Sequence, residues 1–354
     1  MKKIFWLIII FIICISMVAS ISLIGCNKTA ATETTAATET TAVTETKAAT
    51  ETTATVITVD ETYYFVAYVT SISFWVDPVA GFMDACKLLG VKGEFVGPVE
   101  FDAGKQVDAV EGILAKSPSG IVIFPADPDA LVEPLKKAMG MGIPVICANS
   151  DVSDQTARYG YIGINNYDAG RAGGKLLVDF IGGKGEVAIM TMPGVTVHED
   201  RKRGYLDVLK DYPDIKVVAI ENDKADPSVG VTVAAAILQA HPNLKAIVGT
   251  DATSGASAAR AVVEADKKGK ITIVAMDRDE DLLNYIQDGT VTASLVQRNY
   301  VEEWIAMHYC YWFKHDLIKA LSDWRVANAP QIPPNTDTGV MIVTKDNVDQ
   351  FRHK

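Results

Sequence analysis

The 354-residue chain is poor in the residues that most catalytic chemistry needs. It has five histidines and five cysteines, and no second histidine stands at metal-ligand or triad spacing from His198. There is no Gly-x-Ser-x-Gly elbow, no phosphate loop of Walker type and no His-Glu-x-x-His zinc motif. The stretch Gly160-Tyr-Ile-Gly163-Ile-Asn lacks the glycine spacing of a dinucleotide fingerprint. No cofactor and no metal site is therefore expected. Basic residues are also in deficit, 33 Lys and Arg against 44 Asp and Glu for a net charge of -11. That balance lacks the basic face a nucleic-acid partner requires. Cys86, Cys147 and Cys310 form an odd set at wide spacings in apolar surroundings. Three buried free thiols are expected, although a single disulfide pair stays open.

What the chain does have begins at its N-terminus. Met1-Lys2-Lys3 is a short basic start, residues 4–25 are almost wholly apolar, and Cys26 ends that run after Leu23-Ile24-Gly25. Four Thr/Ala/Glu hexads occupy residues 31–54. A charged start, an apolar helix and small residues before a cleavage point make a secretory signal. The Leu-Ile-Gly-Cys box resembles a bacterial lipoprotein signal. The resemblance implies a signal peptide over residues 1–25, lipidation of Cys26 and attachment to the membrane through that lipid. The run is also long enough for a plain membrane-spanning anchor. Either reading puts the remainder outside the cytoplasm, on the outer face of the cytoplasmic membrane or in the periplasm. The hexads offer no large side chain to bury, so residues 26–56 are expected to be a disordered linker.

From residue 63 onward, apolar runs alternate with amphipathic stretches, the pattern of an α/β protein with parallel sheets. Strands are predicted at 63–70, 92–96, 120–124, 144–148 and 159–164, with helices at 76–90, 104–116 and 129–141 between them. The rhythm then restarts. Strands at 186–191, 216–220, 245–248, 271–276 and 292–296 alternate with helices at 167–181, 199–210, 227–240, 254–265 and 280–287. A helix at 301–314 and a strand at 340–343 follow. Two Rossmann-like lobes joined by a hinge, each a mostly parallel sheet with helices on both faces, account for this. The first lobe covers 57–164, completed by about 298–326; the second covers 165–297, completed by about 327–354.

In open α/β sheets, ligands bind beyond the carboxyl ends of the strands. The residues expected there are Phe74 and Trp75 after the first strand, Asn149, Ser150 and Asp151 after the fourth, and Arg201 at the start of a helix. Asp251, Asp277 and Gln297 follow later strands. Carboxylates, amides and an arginine suit a ligand dense in hydroxyl groups, which both donate and accept hydrogen bonds. An aromatic face such as Trp75 suits the C–H side of a sugar ring. Several of these residues have plainer readings. Phe74 and Trp75 can be core, Asp251 and Asp277 can cap helices, and Arg201 can pair with Glu199 or Asp200. Asp127 and Asp129 read as turn and cap residues, His198 as loop, and Tyr311, Trp312 and Phe313 as core.

A set of segments, in order, resembles periplasmic sugar-binding proteins of the ribose and galactose type. It comprises Phe74-Trp75, Gly81-Phe-Met-Asp-Ala85, Gly120-Ile-Val-Ile-Phe-Pro125-Ala-Asp-Pro128, Gly142-Ile-Pro-Val145, Arg201-Lys-Arg203-Gly204-Tyr205, Met276-Asp277 and Ala293-Ser-Leu-Val-Gln297. The similarity covers roughly residues 63–345 and implies the type I periplasmic binding protein fold. It further implies that Phe74 and Trp75 flank a sugar, and that Arg201, Asp277 and Gln297 bind its hydroxyls. Asn149 and Ser150 stand where the ribose group has aspartate and arginine, Thr250 or Asp251 where asparagine is usual, and Pro227 where a further aromatic packs. These departures leave a hexose, another pentose or a cyclitol open. The resemblance implies a lipid-anchored monomer that is no enzyme, captures a monosaccharide between hinged lobes and delivers it to the transmembrane subunits of an ABC permease. The alternatives are a sensor subunit presenting its ligand to a membrane receptor, and an enzyme on a similar sheet.

Overall fold

Short apolar runs build two six-stranded sheets in the computed structural model, which describes residues 60–318 and 332–352. The expected signal, Cys26 and the hexads lie outside the described residues. Those described fall in one unit, Thr55–Lys354, and no helix among them is long and apolar enough to cross a membrane.

In the first lobe, β1 (Thr62–Val66), α1 (Val76–Leu89), β2 (Lys92–Val96), α2 (Ala103–Leu114), β3 (Gly120–Ile123), α3 (Val132–Gly140), β4 (Val145–Ala148) and β5 (Gly160–Gly163) follow one another. All residues of β3 and β4 are buried, as strands covered on both faces must be. Their period-2 alternation sorts the core. Phe65, Val122 and Ile146 pack with Phe82 and Ala85 of α1, while Tyr64, Ile121 and Val145 pack with Val110 of α2 and Leu135 of α3. Cys86 and Cys310 share the first of these clusters and Cys147 lies in the second. All three are free and buried. Gly90 ends α1 in the left-handed region at φ 70°, where a residue without Cβ meets no penalty.

The second lobe repeats the plan with α4 (Asn166–Ile181), β6 (Gly185–Thr191), α5 (Thr196–Leu209), β7 (Ile215–Asn222), α6 (Pro227–Ala240), β8 (Leu244–Gly249), α7 (Ser254–Glu264), β9 (Thr272–Met276), α8 (Glu280–Gln287) and β10 (Ala293–Val296). Asp226 caps α6 through the Ser228 and Val229 amides, with Pro227 in the first turn. The chain then returns to the first lobe. α9 (Asn299–Lys314) sets Ala306, Met307 and Cys310 into the cluster around Phe65. β11 (Asn335–Asp337) pairs in parallel with β5, and β12 (Met341–Val343) pairs antiparallel with β10. The strand orders are β11-β5-β4-β3-β1-β2 and β12-β10-β9-β8-β6-β7.

The last hand-over between lobes therefore falls around Thr338, later than the expected change at about 326. No apolar run announces β11, because polar bonding rather than hydrophobic burial holds it. Arg158 donates to the Pro334 carbonyl at 2.6 Å and to Asn335 Oδ1 at 2.8 Å, and the Tyr161 amide donates to the Pro334 carbonyl at 3.0 Å. The crossings are laced together as well. The Thr338 amide bonds the Gly163 carbonyl at 2.8 Å, and Arg298 bonds the Thr338 and Gly339 carbonyls at 2.6 and 3.0 Å.

α4 and α5 meet backbone to backbone. A Cβ on Gly170 would stand 2.0 Å from the Arg201 carbonyl oxygen, and one on Gly204 would stand 2.2 Å from the Tyr167 carbonyl oxygen. Neither neighbour is a flexible side-chain end, so a methyl must separate the helices. Gly170→Ala is expected to destabilise the fold by about 1–3 kcal/mol in urea or thermal unfolding. A variant as stable as the parent would show that the helices can spread freely.

Candidate functional site

The carboxyl ends of the two sheets flank a cavity open to solvent, with ≈ 560 Å³ of empty space when that solvent is included. Its first-lobe wall is aromatic. β1 stops at Val66, four residues short of the expected strand end, so Tyr68 lies in the following loop and lines the cavity with Ile72, Phe74, Phe101 and Phe124. Gln106, fully buried, holds this wall from behind. Its Nε2 donates to the Phe124 carbonyl and its Oε1 accepts from the Ala126 amide, both at 2.8 Å.

Phe74 stands where the sequence placed it, on the cavity. Trp75 does not. It is 4% exposed and absent from the lining, with its ring 5.0–5.8 Å from those of Phe65, Tyr68, Phe74, Phe95 and Phe124. At such separations tilted and edge-on aromatic contacts are favourable, so Trp75 supports the wall rather than forming its surface. The short helical turn Ser73–Trp75 explains the divergence, since adjacent residues on it point apart.

The second-lobe floor is polar and built around Arg201, in the first turns of α5. The guanidinium is buried; its Nε donates to Asn166 Oδ1 at 2.8 Å and its Nη1 to the Thr250 carbonyl at 2.9 Å. It is no surface partner of Glu199 or Asp200, whose bridges go to Lys202 and Arg203. Burial pulls the Arg201 pKa down, against the charges of Asp277 and Asp251. His198, one turn earlier, also lines the cavity, and its Nδ1 lies 3.1 Å from the Thr250 carbonyl. Burial, then the Arg201 charge, lowers its pKa to about 4. The ring is thus neutral near pH 7, with Nδ1 donating to the carbonyl and Nε2 left as an acceptor.

Asp251 both lines the cavity and caps α7. Its Oδ1 accepts from the Thr253 and Ser254 amides at 2.8 and 2.9 Å. Ser254 Oγ sits between two carboxylates, 2.5 Å from Asp251 Oδ2 and 2.6 Å from Asp223 Oδ2. One hydroxyl proton cannot serve both. Burial and the neighbouring Asp251 charge hold the Asp223 pKa up at about 7, so Asp223 carries the second proton for part of the time at neutral pH. Asp277 is no cap. Held at φ 68°, it accepts from Gln297 Nε2 at 3.0 Å, and burial raises its pKa to about 6 despite Arg201 and Gln297. Gln297 Oε1 is buried without a partner.

None of the three residues expected after β4 lines the cavity. Asn149, at φ 61°, donates its amide to Glu303 Oε1. Ser150 is buried in the turn that follows. Asp151 pairs with the buried Arg158, accepting from its Nε at 2.8 Å, and so anchors the segment leading into β11. Pro227 is likewise absent from the cavity, where Ala225 stands instead. Asp127 accepts from the Asp129 and Ala130 amides, the turn role read from its sequence.

Several groups at the site carry no sequence signal of their place. Tyr68 falls inside a predicted strand, and His198 has no partner histidine at metal or triad spacing. Glu302 and Glu303 are both fully buried at the start of α9. Glu302 accepts from Thr338 Oγ1 at the third crossing, and burial raises its pKa to about 7. Asp77 of α1 receives two bonds from Arg278, at 2.7 and 2.6 Å, in a forked ion pair that joins the lobes. None of these carries a spacing signal, because partners 36 to 201 positions apart leave no local pattern.

A cleft between two parallel-sheet lobes, with strand-end polar groups facing an aromatic wall, defines a ligand-binding protein of the two-lobe class. The sequence profile of the periplasmic binding protein domain matches residues 63–311, and the chain belongs to that family. It is 30% identical over 233 residues to the D-allose-binding periplasmic protein of Escherichia coli K12, covering 63% of this chain and 75% of that one. The xylose/arabinose-binding protein of Sulfolobus acidocaldarius is 24% identical over 302 residues, 81% of this chain and 72% of that one. Among solved structures, the sugar-binding protein of a sugar ABC transporter from Bacillus halodurans superposes with a TM-score of 0.76 at 30% identity, covering 82% of this chain and 100% of that one. The arabinose-binding protein AraP of Geobacillus stearothermophilus gives 0.73 at 31% identity, over 83% and 100%. These relatives are binding components, not enzymes.

The buried acids give the fold a pH signature. Asp277, Asp223 and Glu302 titrate at about 6, about 7 and about 7 in the fold, against about 4 in an unfolded chain. The folded state therefore holds protons that the unfolded chain has released. Their contribution to stability is complete below about pH 4 and is lost as pH rises through 6 and 7. Burial and the Glu302 charge shift Glu303 the same way, and His198 acts oppositely between about 4 and 6.5, one group against four. The ligand-free protein is expected to melt at a higher temperature near pH 5.5 than near pH 8, and Glu302→Gln should flatten the difference. Equal pH dependence in the two proteins would remove Glu302 from the account.

Proposed function

We propose that this chain captures a monosaccharide or related polyol between its lobes outside the cytoplasm and delivers it to the transmembrane subunits of an ABC permease. The observation that carries the reading is the set of unused polar atoms on the second-lobe floor. Arg201 Nη2, Asp277 Oδ2 and His198 Nε2 make no hydrogen bond among the described residues, and Gln297 Oε1 is an orphan. Donors and acceptors fixed in this way, opposite an aromatic wall, suit hydroxyls on one edge of a ligand and C–H groups on its face. The family and the sugar-binding relatives support the same reading.

Ligand would favour the closed arrangement because it bridges groups from both lobes. Calorimetry against pentoses, hexoses and cyclitols tests this directly, with at least one sugar expected to bind. Asp277→Asn should weaken it about 10–100-fold, the effect of one charge-assisted bond, without loss of fold. A panel in which nothing binds would sink the proposal.

Cys26 as a lipidated first residue, followed by the Thr/Ala/Glu linker, would tether the lobes near a membrane partner at high effective concentration. A second reading is sensing, by docking on another protein as the similar XylFII does in a complex with LytSN, at 25% identity and TM-score 0.71. Purification from native membranes separates the two. Lipid on Cys26 and permease subunits in the eluate are expected; a receptor in their place would favour sensing, and an unmodified Cys26 would exclude the lipid anchor in favour of a membrane-spanning one.

A further inference from the structure

The cavity is divided more sharply than hydroxyl recognition requires. On the first-lobe wall, Ile72, Phe74, Phe101 and Phe124 offer no hydrogen-bonding side-chain atom, and the hydroxyl of Tyr68 stands alone among them. The residues expected to supply polar contacts from this lobe lie off the lining: Asn149 gives its amide to Glu303 and keeps a buried, unpartnered Oδ1 outside the cavity, and Asp151 is taken by Arg158. Wall backbone is occupied too, since Gln106 holds both the Phe124 carbonyl and the Ala126 amide.

On the opposite side the open positions are few and adjoining. Asp251 Oδ1 is filled by the Thr253 amide and hydroxyl and the Ser254 amide, while its Oδ2 shares the Ser254 hydroxyl with Asp223. With Asp251 Oδ2, that leaves Arg201, Asp277, Gln297 and His198, all on this lobe. Apart from the Tyr68 hydroxyl, a ligand here is satisfied along one edge. An ordinary hexose carries hydroxyls all round its ring, and its hydroxymethyl oxygen would meet carbon on the wall side. A hydroxyl so placed loses water without gaining a partner.

We propose that the preferred ligand is a 6-deoxyhexose, held by its ring hydroxyls on the second lobe with its C5 methyl against Phe74, Phe101 and Phe124. The proposal rests on the sugar-capture reading and narrows it to one class. A methyl favours the deoxyhexose over the parent hexose, which would bury a hydroxyl, by about tenfold or more. It favours the deoxyhexose over the matching pentose, which leaves the space unfilled, by about fourfold for the carbon buried.

Calorimetry on matched pairs tests it: L-fucose with L-galactose, L-rhamnose with L-mannose, D-fucose with D-galactose. In at least one pair the deoxy sugar should bind about tenfold or more tighter than its hydroxylated partner. Equal or tighter binding of the hydroxylated member in every pair that binds would overturn the proposal. So would binding of pentoses or hexoses with no deoxyhexose bound, which leaves sugar capture standing. No binding by any sugar removes both. Phe101→Gln adds an amide to the wall at a residue 43% exposed, where folding has little at stake. It should narrow the preference at least threefold, and an unchanged ratio in a folded variant would count against the wall as its source.

Discussion

The cleft depends on the buried guanidinium of Arg201. Taking a cation out of water costs several kcal/mol unless it is paired and hydrogen-bonded. Its direct partners are neutral, the Asn166 amide oxygen and the Thr250 carbonyl, while its counter-charges, Asp277 and Asp251, stand around the same cavity. Much of the second lobe's local geometry serves that placement. Asn166 opens α4, Thr250 follows β8, and Gly170 lets α4 approach close enough to touch the Arg201 carbonyl. The guanidinium thus joins two helices and a strand end at the point where a ligand would sit.

Around this cation the protein buries more acid than it balances. Asp223, Asp251, Asp277, Glu302 and Glu303 are each at most 5% exposed. In a medium of low dielectric, several like charges cannot all persist, so some of these groups keep their protons well above the ordinary carboxylate range. Asp223 shares a serine hydroxyl with Asp251, and Glu302 and Glu303 adjoin the crossings between lobes through Thr338 and Asn149. A cleft of this kind has electrostatics that change with anything that alters lobe separation. The ion pair of Asp77 with Arg278, beside Asp277, adds a direct link between the same two bodies.

Much of the architecture was legible because its signals are local. Runs such as Gly120-Ile-Val-Ile123 are buried on both faces, and the amphipathic stretches between them are long enough for helices. The strand-end rule also found Phe74, Arg201, Asp251, Asp277 and Gln297 on the cavity. It failed for Trp75, which turns inward from a helical turn, and for Asn149 and Asp151, which bond Glu303 and Arg158, and Ser150, which is buried off the cavity. It also missed Tyr68, since nothing in Tyr63-Tyr-Phe-Val-Ala-Tyr68 shows that pairing ends at Val66.

The residue order alone thus determined two α/β lobes, their parallel sheets and the edge where polar groups gather, because hydrophobic periodicity and strand direction act over a few residues. Which of those groups remain open to a ligand was decided only by tertiary structure. Arg158 reaches Asn335 across 177 positions, Asn149 reaches Glu303 across 154, and Arg278 reaches Asp77 across 201. Contacts over such spans consume some polar side chains and spare others, and no local pattern records the choice.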